Sequence, residues 1–197
     1  MAPLNEEQLH QIRDERKEQI MGAALKVFSR RGIIGTKMSM ISAEAGISHG
    51  LLYHYFKSKD ELFTALVREA MAGASAAMID VYHLPGSPIE KIRALTSEIL
   101  DEEGAPYFML IHQARTSDGV PEQAKQLIGQ YSMETFVAQL LPLFTEGQKA
   151  GEIASGSAEE LISSYLSVLS GLMILNTQDQ EGYRVPNVDI LLRIITP

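Results

Sequence analysis

Three times the chain places a serine three residues ahead of a glutamate at the head of an apolar, helically spaced run: Ser58-Lys59-Asp60-Glu61, Ser87-Pro88-Ile89-Glu90 and Ser157-Ala158-Glu159-Glu160. In such a box the hydroxyl accepts a first-turn N–H and the carboxylate reaches back to the serine, so each box starts a helix. Pro88 at the first helical position strengthens the second. No strand alternation, internal repeat or low-complexity tract competes with this pattern.

The helix pattern can be followed along the whole chain. Residues 13–31 put Ile20, Ala24, Val27 and Phe28 on one face, and Gly32 is a suitable stop. A short helix is expected at 37–45 with Thr36 as its cap, and Gly46 ends it. Another is expected from His49 to Phe56 behind Ser48. The helix opened by Ser58 should reach about Tyr82, and the Pro85–Pro88 run breaks it. Further helices are expected from Pro88, over 106–115, and as one long element from Pro121, kinked or restarted at Pro142. A strongly apolar helix follows Ser157 to about Asn176. Residues 177–187 read as a polar loop, and a last helix runs from Val188 to Ile195. The expected class is all-α: three short basic helices followed by a helical bundle, about nine helices in all.

Composition narrows the class. The 197 residues suit one large or two small domains, and 45% hydrophobic with 21% charged residues indicates neither disorder nor a membrane protein. No uninterrupted apolar run approaches membrane-spanning length, and the polar, acidic start is no signal peptide. With no Cys, disulfides, thiolate metal sites and cysteine nucleophiles are excluded. A cytoplasmic protein is the simplest expectation.

The net charge of −8 argues superficially against a nucleic-acid partner, but the charge is uneven. Residues 71–197 hold seven Lys/Arg against sixteen Asp/Glu, whereas residues 13–68 hold ten against six. Such asymmetry suggests separate jobs for the two parts.

The most informative stretch is 36–59. Two short helices meet at Ala45-Gly46-Ile47-Ser48, where Gly46 permits a sharp turn, Ile47 pins the helices and Ser48 caps the second: the grammar of a helix-turn-helix. Met38, Ile41, Ala45, Ile47, Leu52 and Phe56 would form its core. His49, Gly50, Leu51, Tyr53, His54 and Tyr55 are left to face outward, and a two-turn helix of this kind can enter a major groove. Lys57 and Lys59 follow the second helix, where a cation can pair with phosphate.

Thr36-x-Met38-x-x-Ile41-x-x-x-Ala45-Gly46-Ile47-Ser48-x-Gly50-x-Leu52-Tyr53-x-Tyr55-Phe56-x-Ser58-Lys59-x-Glu61-Leu62 resembles the TetR (tetracycline-repressor) family of bacterial transcriptional regulators. The motif match covers roughly 13–68; beyond it, helix count, order and length agree. The resemblance implies residues 1–57 as a DNA-binding domain, with the helix-turn-helix at about 36–57, and 58–197 as a ligand-binding and dimerisation domain. It implies that Ser48, His49, Gly50, Leu51, Tyr53 and Tyr55 touch an operator and that Thr36, Lys37 and Lys59 hold phosphates. Many relatives carry a small hydroxylated residue where this chain has Leu51, which can meet a thymine methyl but cannot donate a hydrogen bond.

In the second half, Ser163, Ser167, Ser170 and Gly171 form a small-residue stripe on a helix apolar nearly all round, and Leu191 and Ile194 belong to an equally apolar final helix. Both patterns suit a two-fold homodimer interface, as well as the core of a monomer. The resemblance also implies an inducer pocket for a small apolar or amphipathic ligand. Met78, Tyr82, Phe108, Met109, His112, Tyr131, Phe136 and Tyr165 are candidate lining residues, and each could equally be core.

No catalytic motif is present: no Gly-x-Gly-x-x-Gly, phosphate-binding loop, His-Glu-x-x-His or Gly-x-Ser-x-Gly. No cofactor and no metal is expected. His49 and His54 are five apart and share no helix face, the lone Glu7-x-x-His10 has no second copy, and Asp101-Glu102-Glu103 reads as a solvated helix end. The expected function is a ligand-released repressor that binds a near-palindromic double-stranded DNA operator as a dimer. The alternatives are a helical small-molecule carrier or sensor that does not bind DNA, and a helical enzyme with a motif-free site.

Overall fold

The computed structural model describes residues 5–101, 104–177 and 186–197. The bulk of the polar loop expected at 177–187, Glu102 and Glu103 of the acidic run, and the first four residues lie outside the described residues. Ten α-helices are present among those described: α1 (Glu6–Gly35), α2 (Met38–Glu44), α3 (His49–Tyr55), α4 (Lys59–Asp80), α5 (Pro88–Ile99), α6 (Ala105–Thr116), α7 (Glu122–Gly129), α8 (Met133–Lys149), α9 (Ala158–Thr177) and α10 (Val188–Leu192). A 3-10 turn, Val81–His83, extends α4.

The serine boxes do what their spacing implies. Ser58 Oγ accepts the Glu61 N–H at 3.1 Å and Ser157 Oγ accepts the Glu160 N–H at 3.2 Å. Glu90 takes the Ser87 N–H at 2.8 Å. Glu61 reaches one residue further back, to the Lys57 N–H at 2.7 Å.

Three expectations are corrected. First, α1 begins at Glu6, not at residue 13, because Asn5 and Gln8 close a reciprocal capping box. Second, Thr36 does not cap α2: Lys37 occupies that position, with no side-chain hydrogen bond. The Thr36 hydroxyl donates to the Gly32 carbonyl at 2.7 Å instead, closing α1 after its left-handed break at Gly32 (φ +66°). Third, the expected long seventh helix is two helices. It breaks at Gly129–Ser132, where Ser132 starts α8 by accepting the Thr135 N–H. Pro142 lies inside a continuous α8.

Two apolar cores organise these helices. The first gathers Ile20, Ala24, Phe28, Ile41, Leu52, Phe56, Leu62, Phe63 and Leu66, and Leu110, Ala114, Val120, Ala124 and Ile128 from α6 and α7 and their link complete it. The Phe28 and Phe63 rings meet edge to face at 5.1 Å. The second joins Met78, Ile92, Leu95, Leu140, Phe144, Ile162, Tyr165, Leu169, Leu191 and Ile195. The helix-turn-helix therefore rests on the bundle and shares its packing. The α4 segment Lys59–His83 and the α9 segment Ala158–Leu175 are long and apolar enough to cross a membrane, each with mean hydropathy 1.3. Both bury one face in these cores, as core helices do.

Candidate nucleic-acid interface

The turn between α2 and α3 is held by backbone geometry. Gly46 has φ +63°. Its N–H bonds the Ala43 carbonyl at 3.1 Å and the Ile47 N–H bonds the Ser42 carbonyl at 3.0 Å, the paired closure that a left-handed glycine makes possible at a helix end. Ser48 then caps α3 by accepting the Leu51 N–H at 3.2 Å. Met38, Ile41, Ala45, Leu52 and Phe56 are buried, and Ile47 packs half-buried against them.

With Leu52 as its one fully buried residue, α3 is left with an open face. His49, Gly50, Leu51 (37% exposed), Tyr53 (44% exposed) and His54 are all accessible. The His49 and Tyr53 rings meet at 4.9 Å and 87°, one helical turn apart, so each limits the other's rotamers. Tyr55 is half-buried against the first core, with its ring 5.6 Å from that of His54. Ser48, Lys37 and Lys57 are exposed beside this face.

Two of the sequence-derived phosphate ligands have other partners. The Thr36 side chain is buried and donates to Gly32. Lys59, half-buried, donates from Nζ to the Ile33 carbonyl at 2.7 Å and the Thr36 carbonyl at 3.1 Å. It clamps the start of α4 onto the α1–α2 junction. Gln113 of α6 grips the same end of α1 through the Ser29 carbonyl at 2.8 Å. Gln19, absent from the sequence reading, donates to the Ala45 carbonyl at 2.7 Å. Its partner lies 26 residues away, a distance over which helical periodicity carries no signal.

The bundle candidates divide by burial. Met78 and Tyr165 are buried in the second core. The Tyr165 hydroxyl lies 2.8 Å from Thr96 Oγ1, which gives its own proton to the Ile92 carbonyl at 2.6 Å, so the tyrosine donates. Burial pushes the Tyr165 phenol up to about 12. Burial also raises the Tyr82 phenol, and its hydroxyl donates to the Gln139 carbonyl at 2.5 Å. Phe108, Met109 and His112 are half-buried along α6, and Tyr131 stacks on Phe136 at 6.4 Å. Buried Gln113 Oε1 and Gln139 Oε1 lack a hydrogen-bond partner. Of the small-residue stripe, Ser167 and Gly171 are exposed and Ser163 and Ser170 half-buried; Ile194 is exposed, while Leu191 turns into the second core.

A capped helix with an open polar-aromatic face, carried on a helical bundle, defines a helix-turn-helix DNA-binding protein. Residues 20–66 match the family model described as bacterial regulatory proteins, tetR family. The regulator BetI of Brucella canis is 24% identical over 159 residues, covering 77% of this chain and 78% of its own. Among solved structures, a TetR-family regulator from Agrobacterium tumefaciens superposes with a TM-score of 0.71 at 18% identity, over 92% of this chain and 94% of that one. A transcriptional regulator from Saccharomonospora viridis, solved in complex with choline, gives 0.70 at 20% identity over 91% and 93%. Residues 20–66 thus form a helix-turn-helix region of the tetR type, and over most of its length the chain is similar to helix-turn-helix transcriptional regulators.

Proposed function

We propose that the protein is a cytoplasmic, non-catalytic repressor that binds a near-palindromic operator as a homodimer and leaves it when a small amphipathic molecule occupies the bundle. The observation that carries the DNA half is the open face of α3. Ser48, His49, Gly50, Leu51 and Tyr53 stand on a helix fixed at both ends and anchored through Leu52. In this reading Leu51 meets a thymine methyl, Tyr53 and Tyr55 reach backbone or base, and Lys37 and Lys57 neutralise phosphates.

The dimer reading is supported by α9, where Ser164, Ser167, Val168, Gly171 and Leu175 leave an exposed, largely uncharged stripe. Beside it, Met133, Val137, Ala138, Leu141 and Ser163, with Glu134 and Glu159 at its edge, line a groove of about 370 Å³ between α8 and α9. A second copy laid across this face would form a four-helix contact and present two α3 helices one duplex turn apart. The ligand reading is supported by the half-buried Phe108, Met109 and His112, by the unpartnered Gln113 and Gln139 oxygens, and by the choline held by a neighbour of the same fold. A ligand releases DNA only to the extent that it prefers the non-binding spacing of the two helices.

The test is selection of bound duplexes from a random-sequence pool by the full-length protein, then titration of the selected site against salt. A two-fold symmetric site whose affinity falls steeply with salt is expected. A protein that retains no duplex, or whose binding ignores salt, would be a carrier or sensor. Choline is the first ligand to try: it should lower affinity for the selected site, and its failure would remove only that ligand.

A further inference from the structure

The first fourteen residues of α1, Glu6–Gln19, belong to neither core. All are exposed except half-buried Arg16. At 1.5 Å per residue they extend α1 by about 21 Å beyond Ile20, its first buried residue. The segment is nevertheless built as a helix with two fixed ends. At its tip the Gln8 N–H bonds Asn5 Oδ1 at 2.7 Å and the Asn5 N–H bonds Gln8 Oε1 at 3.0 Å. At its root Arg16 Nη1 donates to Gln19 Oε1 at 2.6 Å, and Gln19 Nε2 donates to the Ala45 carbonyl. That carbonyl lies in the turn just ahead of Ser48, so the extension leaves the molecule beside the start of α3.

Its charges are sorted. At 100° per residue, Leu9, Ile12, Arg13, Arg16 and Lys17 fall on the side that continues into buried Ile20, whereas Glu7, Gln11, Asp14, Glu15 and Glu18 fall opposite. Glu6, Leu9, His10 and Arg13 border one shallow depression, so a single carboxylate shares the cationic side. Leu9 is 52% and Ile12 46% exposed. Among the described residues, neither Arg13 nor Lys17 has an ion-pair partner.

We propose that this face lies along the duplex flanking the sequence read by α3, with Arg13 and Lys17 on phosphates and Leu9 and Ile12 against sugar edges. Charge complementarity selects the occupant: a second copy joined through the same face would set three cations against three, whereas a polyanion beside α3 matches them. The proposal rests on the DNA-binding reading above.

The experiment compares wild type with Arg13→Gln/Lys17→Gln, which spares the Arg16–Gln19 tie. Both are titrated on the selected site, once as a minimal duplex and once with about ten base pairs, one helical turn, added on each side. Wild type and variant should bind the minimal duplex equally. On the flanked duplex the variant should lose about two units of salt slope per protomer, or about four for the dimer, so its deficit should be on the order of a hundredfold larger at 50 mM than at 200 mM salt. Charge-preserving Arg13→Lys should keep the wild-type slope, and unchanged far-ultraviolet dichroism should show the helix intact. Equal slopes on the flanked duplex, or equal losses on both duplexes, would overturn the flanking contact. A wild type that selects no duplex would overturn the DNA reading together with it.

Discussion

Replacing Lys59 with methionine separates a structural lysine from a phosphate ligand. The substitution keeps most of the aliphatic stem and removes the ammonium that donates to the Ile33 and Thr36 carbonyls at 2.7 and 3.1 Å. A hydrogen bond from a charged donor contributes up to about 3 kcal/mol when buried. Lys59 is half-buried, water can reach the freed carbonyls, and about 1 kcal/mol for each bond is the appropriate scale. The expected loss of about 2 kcal/mol corresponds to a fall in melting temperature of roughly 4–8 °C for a chain of this size. Thermal unfolding followed by circular dichroism measures it. The control is Lys57→Ala: that side chain is exposed, so stability should change by less than about 0.5 kcal/mol. On the selected operator, Lys57→Ala should lower the salt slope by about one unit per protomer, about two for the dimer, and Lys59→Met should leave it unchanged. An unshifted melting temperature for Lys59→Met, together with a slope lower by about two, would refute the clamp and return Lys59 to the phosphate.

Tyr53→Ala should weaken operator binding at least tenfold with the melting temperature held, since the side chain is exposed and stands edge to face with the equally exposed His49 ring; normal affinity would remove Tyr53 from the interface. Thr96→Val strands the buried Tyr165 hydroxyl and should cost about 1–3 kcal/mol, whereas Thr96→Val/Tyr165→Phe removes both partners and should cost less than Thr96→Val alone in a denaturant titration. Because the folded-state phenol titrates at about 12 rather than 10, its contribution is complete below pH 10 and is lost between pH 10 and 12; Tyr165→Phe should flatten that part of the stability profile. Gly147→Ala would bring a methyl within 2.6 Å of Ile153 Cδ1 and 3.2 Å of Pro88 Cβ, so it should destabilise by about 1–3 kcal/mol, read as a lower denaturant midpoint.

The parts of the fold legible in sequence were those written in local chemistry. The serine–glutamate boxes, Gly46 and the alternation around Leu52 each specify a conformation within a few residues. The misreadings arose where two local signals competed. Pro142 reads as a break, but α8 runs through it, while Gly129 and Ser132 carry the break without a glutamate to mark it. Thr36 had the right chemistry for a cap and used it on the helix behind it. The roles of Gln19, Lys59 and Gln113 depend on contacts spanning 26, 26 and 84 residues, set by packing that no periodicity encodes.

That packing also restricts how a signal can cross the molecule. The helix α3 packs on α2, which packs on α1, and α1 packs on α6 within the first core, so in the proposed dimer a change in the spacing of the two α3 helices would pass through that chain of contacts. The two cores share the continuous helix α4: Met71 closes the first, Met78 opens the second, and Ala72-Gly73-Ala74-Ser75-Ala76-Ala77 lies between them. These six residues bury no large side chain, and the bond from Gln139 Nε2 to Ser75 Oγ at 3.0 Å ties them to α8. Local opening free energy follows buried apolar contact, so amides of 72–77 should exchange with deuterium faster than those of 62–71 in the same helix. Gly73 has nothing within 4 Å of where a Cβ would sit. Gly73→Ala should therefore stiffen this stretch at no steric cost, adding about 0.5–1 kcal/mol of stability and slowing exchange there selectively. If exchange slowed equally along all of α4, or not at all, the helix would move as one rod and the flexing point would lie elsewhere.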